Sequence, residues 1–319
     1  MTRSAKLLAL ALLATALFAA SLLAGKVWVP LAAWGSADPR WPIIVELRLP
    51  RAVLGAALGA SLGLAGAVLQ GFLRNPLADP AVVGVSSAAA FGAVLAILLG
   101  AAGVAVFGSA MLAAAAAMAL LAALTWRGES AVAFVLAGTV LASLAGALTA
   151  LAISLAPNPY AVAGVIDWLM GALTDRTWPD VALALPFLAA GCACLALTGR
   201  ALDALTLGEA AARSLGVRLG RTQALVVAGT GLAVGAGVAV TGVVGFVGLV
   251  VPHLLRPLFG ARPSALLLPS ALGGAALVLA ADSLCRLAPG AGEIRLGVAM
   301  ALIGAPFFLV LLLRRRGWR

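Results

Sequence analysis

Few side chains in this 319-residue sequence could carry chemistry, and they are clustered. The densest cluster is Thr206 to Arg221, a polar island between two long apolar segments. Its residue types suit contact with another protein better than the making or breaking of bonds. Thr206 and Glu209 have capping-box spacing, so the hydroxyl can take one orphan N–H while the carboxylate reaches back to another. Glu209 and Arg213 stand four apart in the favourable order for a helical ion pair. Gly216 falls where helices commonly end in the left-handed conformation. A short, capped, charged helix is expected here, presented to a partner; a plain solvated loop is the competing reading.

Catalytic sets are harder to build. The one histidine, His253, follows Pro252 on an apolar stretch, with no HExxH or other ligand cluster around it. It reads as a structural or pathway-facing neutral imidazole. Cys192, Cys194 and Cys285 are odd in number, lack CxxC spacing, and read as packing residues. No GxxxxGK[ST] occurs, so a P-loop for ATP is missing from the chain. Gly229-Thr-Gly231 with Gly235 imitates a dinucleotide fingerprint but sits inside an apolar span, where helix packing explains it. Span interiors essentially lack Asp and Glu, with Asp167 and Asp282 near predicted ends. An ion-coupled secondary carrier normally keeps buried carboxylates for its ions. That alternative and an intramembrane enzyme both lack their machinery, whereas a transporter driven from outside through a cytoplasmic contact fits.

The elements that position these residues follow from composition. Apolar residues make up 64% of the chain, charged residues only 10%, and the mean hydropathy is +1.15. Such a chain is polytopic in a membrane and should form one all-α bundle over residues 1–319. The net charge of +10 then serves membrane orientation rather than nucleic acid. Ten spans are expected. The first, Leu7 to Ala24, resembles a secretory signal but is long enough to be a retained helix. Others fall at about 52–72, 83–100, 108–125, 131–155, 180–198, 223–241, 265–281 and 296–313. The eighth is the Gly- and Pro-broken stretch from Gly242 to Arg256, which needs protein cover or a water-filled path. Gly55, Gly59 and Gly63 form a flat ridge for close helix contact in the second span. Ala156 to Pro179, containing an amphipathic piece at 165–173, is expected to lie at the outer interface. Trp126 to Ser130 is expected as an inside loop. With both termini inside, 14 of the 21 Lys and Arg residues face the cytoplasm, as the positive-inside bias requires.

Three longer motifs together resemble the FecCD family of ABC-transporter permeases. They are Arg48-Leu-Pro-Arg51 through Leu69-Gln-Gly and Arg74-Asn-Pro-Leu-Ala-Asp-Pro80 to Gly84-Val-Ser-Ser87; Leu207-Gly-Glu-Ala-Ala-Ala-Arg-Ser-Leu-Gly216; and Gly245-Phe-Val-Gly-Leu-Val-Val-Pro-His253 with Gly304-Ala-Pro-Phe-Phe308. Trp168-Leu-Met-Gly171 adds a smaller match, and the likeness covers nearly everything from about residue 40. It implies a ten-span type II importer permease of the inner membrane, without enzymatic activity or a cofactor of its own. ATP and magnesium would belong to two partner ATPase subunits. A periplasmic or lipid-anchored binding protein would deliver an iron(III)–siderophore complex, or alternatively haem or cobalamin, to a homodimer of the permease. The resemblance assigns ATPase coupling to Leu207, Gly208, Glu209, Ala212, Arg213, Leu215 and Gly216, within a cytoplasmic segment at 199–222. It assigns binding-protein docking to Arg48, Arg51 and Arg286, and a cytoplasmic gate to Asn75, Pro76 and Leu77. The chain departs from the family pattern at Glu293-Ile-Arg295-Leu-Gly297, where many members have proline. Arg295 is an added outer-face cation that could tune the choice of binding protein or cargo.

Overall fold

A computed structural model describes residues 2–125, 131–290 and 292–316. Backbone in hydrocarbon must satisfy its own hydrogen bonds, so the apolar runs become helices wherever no breaker intervenes. Thirteen result among the described residues, and no strand. They are α1 (Arg3–Leu23), α2 (Leu49–Phe72), α3 (Val85–Leu98), α4 (Val104–Thr125), α5 (Ala131–Ser154), α6 (Pro159–Leu169) and α7 (Trp178–Ala196), followed by α8 (Gly199–Leu205), α9 (Glu209–Ser214), α10 (Leu219–Thr241), α11 (Val247–Phe259), α12 (Pro263–Leu287) and α13 (Leu296–Arg316). Seven helical stretches are long and apolar enough to cross a membrane: α1, α2 with its lead-in, α4, α5, α7, α10 and α12. The shorter apolar helices α3, α11 and α13 complete the ten expected spans in order. The protein is an all-α, multi-pass membrane bundle.

The bundle is organised around α2, most of which is buried, with α10 and α12 next to it. The glycine ridge explains the closest approach. A Cβ on Gly59 would lie 2.2 Å from the Gly274 carbonyl oxygen, and one on Gly63 would lie 2.1 Å from that of Ser270, so α2 and α12 touch backbone to backbone. Gly55, on the same ridge, meets the Leu173 side chain instead.

The broken stretch has the protein cover that irregular backbone in a membrane demands. The chain leaves α10 at Gly242 (φ 72) and enters α11 after Phe246 (φ 66). Ala172 N–H donates to the Thr241 carbonyl at 2.7 Å, and Gly297 N–H donates to the Gly171 carbonyl at 3.0 Å. The segment 168–171 thus lies directly against the break, which is why the Trp168-to-Gly171 motif ends in glycine: a Cβ there would meet the Val243 carbonyl at 2.3 Å.

Three expectations change. The second span begins nine residues early, because a wider π-type turn at Ile43–Arg48 carries the helix past Pro50, which cannot donate to the ladder. The amphipathic helix is Pro159–Leu169 rather than 165–173, started by the Asn158 cap and the proline at its first position. The capping box lies at Thr177 and Asp180, whose carboxylate accepts from the Thr177 N–H at 2.9 Å, and not at Thr206 and Glu209. Thr206 instead ends α8, its hydroxyl donating to the Asp203 carbonyl at 2.6 Å, and Gly208 (φ 97) separates that helix from α9. The expected loop at 126–130 lies outside the described residues.

Asp203 on α8 ties that helix to the start of α12. It accepts from the Ser264 N–H (2.9 Å), the Ser264 hydroxyl (2.6 Å) and Arg262 (2.7 Å). Burial pushes its carboxyl up, but the bonds from Ser264 and Arg262 outweigh burial and hold it below the usual carboxylate range. A depressed folded value stabilises above the unfolded value near ~3.9 and is lost as pH falls through the folded one. Asp203→Asn is therefore expected to lower the melting temperature in detergent at pH 7 and to flatten its decline below about pH 4. Identical acid limbs for the two proteins would refute this.

Candidate functional site

The predicted coupling residues come together at one end of the bundle. Helix α9 is only six residues long, yet both ends are defined. At its C-terminus, Gly216 (φ 84) donates to the Arg213 carbonyl at 2.9 Å and Val217 donates to the Ala212 carbonyl at 3.0 Å. That pair of hydrogen bonds is the Schellman arrangement, with the glycine where a Cβ would be strained. Ala212 is completely buried and anchors the helix to the core. Leu207 and Leu215 flank it at 67% and 65% exposure, and Glu209 pairs with Arg213 at 3.8 Å. The element is thus rigid, anchored on one side, and presents two bare leucines framed by charge on the other.

The predicted gate lies beside it. Asn75 Oδ1 accepts from the Leu77 N–H at 3.0 Å and its backbone N–H donates to Gln70 at 3.1 Å, closing a tight turn after α2. Arg74, just before the turn, reaches Glu209 at 3.8 Å, so this turn and α9 touch. Sequence reasoning missed Gln70. Its buried side-chain amide donates to the carbonyls of Ala78 (3.4 Å) and Gly248 (3.2 Å) and accepts from Arg256 (2.7 Å). A glutamine within an apolar span was the available signal, since such a group needs partners.

At the opposite end of α2, about 36 Å away at 1.5 Å per residue, lie the three arginines expected to dock a partner. They are buried, contrary to an outward-projecting role. Arg48 donates to the carbonyls of Leu22 and Leu23, each at 3.0 Å, and Arg286 donates to Ser21 (3.0 Å) and Ala24 (3.1 Å). These are the orphan carbonyls where α1 ends, which cations satisfy well. Arg51 bridges Asp282 and Glu293, each at 2.8 Å, and Asp282 also pairs with Arg286 at 3.2 Å. Glu293, in the loop before α13, is pushed up by burial, but its bonds to Arg51 and Thr174 prevail and hold its carboxyl below the ordinary range.

The three arginines and Glu293 nonetheless line a cavity of about 240 Å3, together with Lys26, Thr174, Asp175 and Arg176. Five cationic side chains and two carboxylates line it, with Asp282 paired behind Arg51 and Arg286 and Asp180 beside Arg176, so a small cationic excess remains for an anion. The added Arg295 pairs with Asp167 of α6. Elsewhere, the His253 ring stands edge-on to Phe307, and no group of metal-ligating residues occurs among the described residues.

The FecCD transport family model matches residues 10–314. The chain is 44% identical to the cobalamin import system permease protein BtuC of Halobacterium salinarum over 276 residues, 85% of this chain and 73% of that one. It is 37% identical to the vitamin B12 import system permease protein BtuC of Klebsiella pneumoniae, covering 97% of this chain and 93% of that one. A Helicobacter pylori iron chelatin transport system permease protein is 37% identical over 86% of this chain and 83% of its own length. A solved inward-facing ABC transporter, described as of metal-chelate type, superposes with a TM-score of 0.87 at 32% identity, covering 98% of this chain and 99% of the other. The chain therefore belongs to the FecCD transport family and is an ABC importer permease of that type, a transport protein rather than an enzyme.

Proposed function

We propose that residues 1–319 form one permease unit that carries a large metal chelate inward, cobalamin being the first cargo to test and an iron(III)–siderophore complex the second; haem ranks behind both. The order rests on relatives: the 44% match is a cobalamin permease, and the iron-chelate relative is 37% identical. Force enters at α9, and the observation that carries this is the exposed Leu207 and Leu215 on either side of a helix anchored by buried Ala212. Two bare leucines framed by Glu209 and Arg213 suit a protein groove, so the α9 end faces the cytoplasm and partner ATPase subunits. Both termini then lie on that side. The chain needs no cofactor of its own, as ATP and magnesium act on the ATPase.

At the other end, an acidic side chain of a periplasmic or lipid-anchored binding protein fits the cationic cavity beside Arg48, Arg51 and Arg286. Salt should weaken that docking. A second copy of the chain covers α5, whose Leu136, Val140, Leu144 and Leu151 form an apolar stripe left bare by the bundle.

The test is reconstitution of the permease with its ATPase and binding protein in liposomes. ATP-dependent uptake of cobalamin is expected, and uptake without the ATPase would overturn the proposal. In the same vesicles, Gly216→Val and Glu209→Arg should insert normally but lose at least about tenfold of the uptake, because a β-branched residue resists positive φ and a reversed charge opposes docking. Unaltered uptake by both would show that α9 does not couple.

A further inference from the structure

Arg74 adopts a left-handed backbone (φ 49), one of three non-glycine residues among those described to do so. The helix end sets it: the Arg74 N–H donates to the Gly71 carbonyl at 3.3 Å and the Asn75 N–H to the Gln70 carbonyl at 3.1 Å, the Schellman arrangement closing α2. The side chain this places reaches α9. The ion pair that Arg74 makes with Glu209 is loose, at 3.8 Å, with the two side chains 46% and 39% exposed. Exposed pairs of this kind contribute little to stability.

What the Arg74 side chain does achieve is connection. Glu209 belongs to α9, and one carboxylate oxygen faces Arg74 while the other faces Arg213. Immediately after Arg74 the chain enters the turn at 75–78, whose first N–H bonds Gln70 and whose last carbonyl accepts from the Gln70 side chain. The same amide holds the Gly248 carbonyl at the start of α11, and Arg256 of α11 donates to its oxygen. A Cβ on Gly248 would lie 2.8 Å from Pro80, so the far end of this loop presses directly on the broken span. Arg74 and Glu209 border a small cavity of about 50 Å3 together with Phe72, Leu205, Leu219 and Gln223.

We propose that Arg74 is the positioning residue that passes a displacement of α9 to the turn at 75–78 and, through Gln70, to the broken start of α11. A loose, exposed, charged pair suits this role: it pulls at a distance, re-forms in several geometries, and adds little to the stability of either state. The inference rests on the reading of α9 as the point where the ATPase acts.

The experiment measures ATP hydrolysis and cobalamin uptake in the same liposomes, with permease, ATPase and binding protein reconstituted together. Arg74→Gly removes the side chain and also relieves the backbone strain, so it should fold at least as well as the parent. The expected result is ATP hydrolysis within about twofold of the parent and uptake reduced about tenfold, a loss in cargo moved per ATP. Arg74→Lys, which keeps the charge, should recover at least about half of the uptake. The ATPase should co-purify with all three proteins in equal amount. Unchanged cargo per ATP in Arg74→Gly would overturn the proposal. So would a parallel fall in hydrolysis and uptake with loss of the bound ATPase, which would make Arg74 part of the docking surface, or a failure of lysine to rescue. If the parent protein itself shows no ATP-driven uptake, the fault lies with the reading of α9 and not with Arg74.

Discussion

Asp282→Ala is expected to cost about 3–5 kcal/mol of stability, the usual penalty for leaving buried charge unpaired. Asp282 is 3% exposed at the side chain and receives two guanidinium groups, from Arg51 at 2.8 Å and from Arg286 at 3.2 Å. Without it Arg51 keeps Glu293 and Arg286 keeps the end of α1, but the two guanidinium groups lose the buried carboxylate they share. The same change loosens three elements at once, because α2, α12 and α1 meet there. Thermal unfolding in detergent should show a clear drop, larger than that of Glu293→Gln, which changes a more exposed partner of the same arginine (26% against 3%). Equal melting temperatures for Asp282→Ala and the parent would mean that the cluster is solvated and contributes nothing.

Gly59→Val should prevent assembly of the bundle altogether. The new side chain would start 2.2 Å from a backbone oxygen of α12, so α2 and α12 would have to separate along their closest contact. Overpacking a core usually costs about 1–3 kcal/mol when side chains can yield, and more here because the obstacle is backbone. Gly59→Ala should already reduce the yield of monodisperse protein on size-exclusion chromatography. Gly146→Ala in α5 is the control, since nothing lies within 4 Å of its added Cβ, and it should be tolerated. If Gly59→Val matched Gly146→Ala in yield, close packing along this ridge would not hold the two helices together.

Much of this architecture was legible from residue order alone. Helices in lipid satisfy their own backbone, so long apolar runs can only be spans, and the ten expected ones appear in sequence. The glycine spacing in α2 announced a helix contact, though not its partner. Glu209 with Arg213, and Gly216 as a helix end, are local features within a few residues of one another, and local chemistry decides them. Thr206 shows where local reasoning stops: its spacing to Glu209 fits a capping box, but Gly208 divides the segment into two helices and the threonine serves the first.

Whether a charged residue projects or turns inward is a long-range matter. The resemblance assigned Arg48 and Arg286 to docking a binding protein, yet each ends on carbonyls of α1, and for Arg286 those partners are more than 260 residues away in the chain. No spacing rule reaches that far, because only the packing of α1 against α12 brings the groups together. The chain order thus specified a polytopic helical permease with a short charged helix between two spans. The three-dimensional packing decided that Arg48 and Arg286 seal the end of the first helix beside a cavity lined by cations, and that Arg74 joins the turn at 75–78 to α9. Side chains in hydrocarbon take whichever polar partner the neighbouring helix offers, and that neighbour is chosen by the fold as a whole.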